Sequence, residues 1–191
     1  GKSIYFLATR SGTSQLYQLA LDGGEAIAVT DLPLDINGYK LSNDGKQVVM
    51  TLRVFPECKD LACSKDKFTA EAERKSTGRE YKQLMVRHWD TWEDHARNHL
   101  FVASLNGNKI TTATNVTAGR DTETPPKPFS GMEEVTFTAD GKYVVYSAKA
   151  PSRDPAWTTN YDLWQVPVAG GETVNLTPDN HLKLFFRNVK I

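Results

Sequence analysis

Apolar and polar residues alternate along this chain in short runs separated by turn residues. The runs are "SIYFLA" (3–8), "QLYQLAL" (15–21), "AIAVTDL" (26–32), "KQVVMTLRV" (46–54), "HLFVASL" (99–105), "EVTFTA" (134–139), "KYVVYSAKA" (142–150), "DLWQVPV" (162–168) and "TVNLT" (173–177). They are rich in β-branched and aromatic residues and are bounded by Gly, Asn, Asp or Pro. Period-two patterning in short bounded runs predicts β-strands. Helical character shows in one place only, "SKDKFTAEAERKSTGREYKQLM" (64–85), where Ser64 reads as an N-cap and Gly78 as a break. The expected fold class is all-β.

The turns repeat. "LSNDGKQVVM" (41–50) and "FTADGKYVVY" (137–146) are one phrase: strand, Asp-Gly-Lys, strand. Asp-Gly favours tight hairpins, because primed turns need positive φ. "LYQLALDGGEAIAVTDL" (16–32) and "LWQVPVAGGETVNLTPD" (163–179) share a second phrase: strand, Gly-Gly-Glu, strand, then Thr. "LFVASLNGNKITTATNVT" (100–117) is a third copy, with Asn-Gly-Asn at its turn. An immunoglobulin-like sandwich would not repeat both phrases in the same order. Four short antiparallel strands recurring at roughly 40 to 50 residues are the pattern of a β-propeller blade. Residues 3–32 read as the last three strands of one blade. Residues 36–117 read as a complete blade carrying an insertion at 55–98, and residues 131–178 as a compact complete blade. The tail 181–191 is unassigned. About three blades cannot close a ring of four to eight. The expectation is a partial propeller with a partly helical insertion in its middle blade, cut from a longer protein, with open blade faces available for self-association.

Composition narrows the function. Lys plus Arg and Asp plus Glu each number 23 in 191 residues. Zero net charge argues against non-specific binding to nucleic acid or to a membrane surface. No apolar run approaches the roughly 20 residues that span a bilayer. The start, "GKSIYFLATR", shows neither Met nor signal peptide and reads as a processed or cut chain. The two cysteines, Cys58 and Cys63 in "FPECKDLACSKD", suit a small looped disulfide, a staple of oxidising compartments. The alternative is two unpaired thiols in a cytosolic loop.

Catalytic signals are weak. A serine nucleophile elbow needs Gly-x-Ser-x-Gly, and none occurs. "GKS" (1–3) ends like a phosphate loop but leads into a strand rather than a helix. His95 and His99 stand four apart, yet the strand beginning at His99 spaces them too far for one ion, even with Asp90 and Asp94 nearby. No metal or cofactor is expected. Glu133 and Glu134 fall in a predicted strand, where neighbours point to opposite faces and cannot pair across a sugar. Asn115 and Asn175 head Asn-x-Thr triplets, readable as glycosylation acceptors or as turn residues.

The densest chemistry is "RHWDTWEDHARNH" (87–99). Trp89 and Trp92 suit a clasp between insertion and blade, with Arg87 and Arg97 pairing to Asp90, Glu93 or Asp94. The other reading turns some of these groups toward a substrate. Arg87, His88, Trp89, Asp90 and Trp92 are the candidate clasp or substrate-positioning residues.

"VRHWDTWEDHARNHLFVASL" (86–105) resembles the propeller of prolyl oligopeptidase family serine peptidases, in the bacterial dipeptidyl-peptidase and acylaminoacyl-peptidase branch. Arg87, His88, Trp89, Asp90, Trp92 and His99–Val102 carry the match, and "FPECKDLAC" is similar to periplasmic members. The Asp-Gly and Gly-Gly phrases are unspecific, because TolB-like propellers share them. The resemblance implies a propeller that gates access for short peptides to an α/β-hydrolase domain bearing the Ser, Asp and His. No catalytic residue carries over, because that domain lies outside these residues. Some members hold the substrate amine with a Glu pair on a helix. The strand expected at Glu133 and Glu134 keeps that role from being transferred. The implied partner is a peptide and the implied location periplasmic or secreted. A TolB-like protein-binding scaffold is the second reading.

Overall fold

The computed structural model describes residues 1–81, 86–88, 90–127, 130–150 and 159–179. Trp89 and the tail 181–191 lie outside them. The chain is mostly β. Strands β1 (Ser3–Ala8), β2 (Gln15–Ala20) and β3 (Ile27–Ala28) form a three-stranded antiparallel sheet. A second sheet runs β4 (Ile36–Leu41), β5 (Gln47–Val54), β8 (Arg97–Ser104), β9 (Thr114–Asn115). The third runs β10 (Val135–Phe137), β11 (Tyr143–Ala148), β12 (Asp162–Pro167), β13 (Val174–Asn175). Helix α1 (Leu61–Glu73) and a hairpin of β6 (Arg87–His88) and β7 (Thr91–Trp92) fall between β5 and β8.

The second sheet is apolar on both faces because it is packed on both. Leu16, Leu34, Met50, Leu52 and Phe101 fill the core it shares with the first sheet. Val49, Leu100, Val102, Phe137, Tyr146 and Trp164 fill the core it shares with the third. Fully burying each such side chain contributes about 1.5–3 kcal/mol.

The repeated phrases become repeated hydrogen bonds. Asp44 Oδ1 accepts from Lys46 N at 3.0 Å and from Ser42 Oγ at 2.7 Å; Asp140 Oδ1 does the same with Lys142 N at 3.1 Å and Thr138 Oγ1 at 2.7 Å. Gly45 and Gly141 both adopt φ of 68°. Only the Gly is left-handed in each turn, so these are not the primed two-residue turns expected from Asp-Gly. Each Asp keeps an ordinary backbone and spends its carboxylate on the turn.

The Thr closing each longer phrase has a common task. Thr30, Thr117 and Thr177 hydroxyls accept the N–H of Leu16, Leu100 and Leu163, at 2.9, 3.0 and 3.0 Å. A side chain thus replaces a ladder partner. The run 26–32 accordingly forms regular strand only at Ile27–Ala28. The residue before each of those leucines is a buried polar group (Gln15, His99 or Asp162) bonded to the segment that carries that Thr. Asn115 and Asn175 work in these clasps. Their amides reach His99 Nδ1 and Asp162 Oδ2 at 3.1 Å each, and their carbonyls hold Thr117 N and Thr177 N. That is the turn-residue reading of the Asn-x-Thr triplets.

Antiparallel order sends alternate connections to opposite ends of each sheet. The short turns at 42–46, 138–142 and 169–173 share one end, and Gln47 Nε2 donates to Gly141 O at 2.9 Å across it. The longest connections, those from β5 to β8, from β9 to β10 and from β11 to β12, leave from the other. Long connections gathered on one rim mark where to look for function.

Candidate functional site on the long-connection rim

The insertion leaves β5 and is pinned at once. Cys58 and Cys63 form a disulfide. Asp60, inside that loop, caps α1 by accepting from Cys63 N at 2.8 Å. This corrects Ser64 as the cap: Ser64 is fully buried in the first turn, where its hydroxyl accepts from Phe55 N at 3.1 Å. The reason is local, since Asp is as good a cap as Ser and the disulfide brings the chain round four residues earlier. The helix also ends at Glu73, short of Gly78. Phe68 packs on Phe55 at 4.8 Å, with Lys67 over the Phe55 ring at 5.1 Å.

The insertion returns through the β6–β7 hairpin, which the sequence pattern does not announce. Arg87 stacks on Trp92 at 5.2 Å, and among the described residues it pairs with no carboxylate. Tyr81 also stacks on Trp92, at 5.9 Å, and His95 lies 6.3 Å from Tyr81. Trp92 remains 49% exposed. His88 lies in β6 and Asp90 is exposed at the turn. Trp89 is outside the described residues, so the expected Trp pair reduces to Trp92 with Arg87. Arg97 does pair with Glu93 as expected, while Asp94 goes to a different arginine. Asp94 pairs with Arg53, and Arg97 bridges Glu93 at 2.8 Å and Asp121 at 2.9 Å. Asp94 also accepts from Ala96 N at 3.1 Å, closing a turn in which His95 takes φ of 65°.

His99 is not placed for a metal. Its Nε2 donates to Arg120 O at 2.8 Å and its Nδ1 accepts from Asn115 Nδ2 at 3.1 Å, so both nitrogens are used by the neutral ring. Among the described residues no group of three or more metal-ligating side chains occurs. Burial pushes the His99 pKa below its ordinary 6.5. The unfolded chain therefore takes up a proton near 6.5 that the folded chain refuses, and stability falls as pH drops through that value. Thermal melts between neutral pH and pH about 5 should show a loss of up to roughly 1.4 kcal/mol per pH unit from this residue. H99Q should flatten the slope. Comparing the two isolates the histidine from Glu123, whose pKa burial raises and which therefore acts in the opposite sense. An identical slope in H99Q would disprove the assignment.

Glu133 and Glu134 are not in a strand. A 3-10 turn, Met132–Glu134, precedes β10, closed by Glu134 N donating to Gly131 O at 3.1 Å. Successive side chains on a three-residue turn diverge by less than they do on a strand. Both glutamates line one small cavity with Thr136, Val145, Ser147 and Leu163. Glu133 accepts from Gly131 N at 3.0 Å and Glu134 from Ser130 Oγ at 2.9 Å. Among the described residues neither carboxylate has a salt bridge. Lys40, the cation whose field acts on Glu133, spends its ammonium on Val135 O. The signal available in the sequence was Gly131, which interrupts the strand pattern one turn before the pair.

Three antiparallel sheets, with cores between successive members and long loops on one rim, define a class of repeat-built β chain. The solved acylaminoacyl peptidase of Pyrococcus horikoshii has the same arrangement over 92% of this chain and 23% of its own, with a TM-score of 0.54 at 16% identity. Another crystal form gives 0.53 at 14% identity. No family profile matches. In sequence, the chain is 36% identical over 180 residues to dipeptidyl-peptidase 5 of Porphyromonas endodontalis and 31% identical to that of Porphyromonas gingivalis. Each alignment covers 93% of this chain and 25% of the relative. The chain thus spans about a quarter of the length of these relatives. It is related to the prolyl oligopeptidase family of serine peptidases through that segment.

Proposed function

We propose that the three sheets are successive blades of a β-propeller, and that this propeller gates and positions peptides for the hydrolase domain of a serine exopeptidase. One observation carries the reading: the likeness runs along nearly the whole chain, to a quarter of proteins named dipeptidyl-peptidase, in a stretch with no Gly-x-Ser-x-Gly. On this reading the chain contributes no nucleophile. Its rim faces the hydrolase domain, and Glu133 with Glu134 receive the substrate's α-ammonium. Their shared cavity, and the lack of a salt bridge to either among the described residues, support that role. The helical turn on which they sit removes the ground on which the strand pattern withheld it. Arg87 and Trp92 sit on the insertion as a flap over the rim. The disulfide supports an oxidising location such as the periplasm. Ile4, at 49% exposure, and its cross-strand partner Leu19 lie on the face of the first sheet opposite Tyr5 and Leu7, which pack on the core, and this outward apolar pair supports self-association.

The test is an assay of the purified 191-residue chain against dipeptidyl chromogenic substrates. No turnover is expected. Turnover that survives further purification would place a nucleophile in this chain and overturn the proposal.

A further inference from the structure

Arg120 lies in the link that follows β9, and its backbone is fixed twice: its N–H donates to Thr117 O at 3.3 Å and its carbonyl accepts from His99. Its guanidinium carbon sits 4.1 Å from the centroid of the Trp164 ring on β12, across the seam between the second and third sheets. That ring is itself locked, buried to 9% exposure with its Nε1 donating to Ala148 O at 3.1 Å. Guanidinium and indole therefore form a rigid platform.

The platform is unfinished. Arg120 Nε and Nη2 are both buried and have no hydrogen-bond partner among the described residues. These two donors make up one edge of the planar fork, the edge a carboxylate grips side-on with two parallel bonds. The guanidinium cannot shed its charge to escape burial. No carboxylate of the described residues supplies the match, since Asp121, next in sequence, is taken by Arg97. The Tyr146 hydroxyl lies in the field of Arg120, fully buried, beside Thr173 but in no hydrogen bond of normal geometry. Burial raises its pKa, so it stays a neutral O–H donor. The Thr122 hydroxyl is likewise buried and unpartnered. Arg120 as a residue is only part-buried while these two donors are covered, so a ligand reaches the edge by displacing what covers it.

We propose that the Arg120–Trp164 platform is a binding site for a carboxylate group. A flat aromatic floor, one permanent cation and a two-donor edge fit a planar monoanion. A phosphate would need more than this single cation to offset its charge. The site lies beside the third strand of the third sheet, whereas Glu133 and Glu134 precede its first strand. It does not depend on the peptidase reading. The carboxylate belongs to a small organic acid or to a peptide C-terminus.

The full chain is titrated with sodium acetate at constant ionic strength, with chloride as the balancing anion. Trp164 fluorescence and the Arg120 side-chain N–H resonance are followed. A saturable response to acetate, flat in chloride, is expected. R120K keeps the charge but loses the side-on edge and should bind about tenfold more weakly. W164F should abolish the fluorescence change while the N–H response persists. N-acetyl-dialanine and its C-terminal amide separate the sources. A response to the acid but not to the amide assigns a peptide terminus, and a response to acetate alone assigns a small acid. No saturable response on the unaltered chain overturns the proposal, whatever R120K does. So does an equal response in a folded R120K.

Discussion

In a complete peptidase built on this chain, replacing Glu133 and Glu134 together by Gln lowers kcat/KM for substrates with a free amino terminus by about 100- to 1,000-fold. The size follows from what is removed. Glu133 is exposed and Glu134 half-buried in this chain, so the cost of about 2–5 kcal/mol for losing a buried charged partner is reached only where bound substrate covers the pair and its ammonium leaves water. Gln keeps the shape and one acceptor, so the 3-10 turn and its bonds from Gly131 N and Ser130 Oγ survive. The loss is therefore read as charge rather than as folding. Two controls make the result specific. The melting temperature stays within about a degree or two, because neither carboxylate holds a salt bridge among the described residues. Substrates whose amine is acylated lose little, because they bring no cation to the pair. Equal losses on free and acylated substrates would remove the pair from amine recognition.

The parts of this fold that were legible in the sequence are those fixed by local chemistry. The Asp-Gly-Lys turns and the Thr that ends each longer phrase recur as the same hydrogen bonds at Asp44 and Asp140, and at Thr30, Thr117 and Thr177. Each depends on residues close in sequence or on the adjoining strand, so a repeated phrase reports it. The site was legible in smaller part. Cys58 and Cys63 stand five apart and pair. The 3-10 turn at Met132–Glu134 was hidden, because "EVTFTA" alternates like a strand from Glu134 onward. The Trp92 cluster was half-legible: its residue types were conspicuous, but Tyr81 joins it from beyond the hairpin. Arg120 gave no signal at all. Its partner Trp164 is 44 positions away in another sheet, and a lone Arg in a polar link has nothing to mark it.

The Glu pair is held by packing as well as by its own turn, and Gly38 is where the two meet. β4 shifts register between Ile36 and Gly38, and Met132 packs closely against Gly38. A Cβ at Gly38 would come 2.6 Å from Met132 Cγ and 3.3 Å from Thr51 Cγ2. Glycine is required here for the close approach rather than for an unusual backbone angle. G38A must push Met132, the first residue of the turn, out of its seat. Overpacking of this kind costs about 1–3 kcal/mol and should lower the melting temperature by about 3–10 °C. In the complete peptidase the same change should weaken free-amine substrates more than acylated ones, because the displaced turn carries Glu133 and Glu134. M132A removes the clashing atoms, so adding it to G38A should restore stability relative to G38A alone. The coupling expected is about 0.5–3 kcal/mol in a double-mutant cycle. M132A by itself should cost little, because Met132 is only part-buried. If G38A and M132A simply add, the clash is absorbed elsewhere, and the packing of the second sheet on the third does not hold the glutamates.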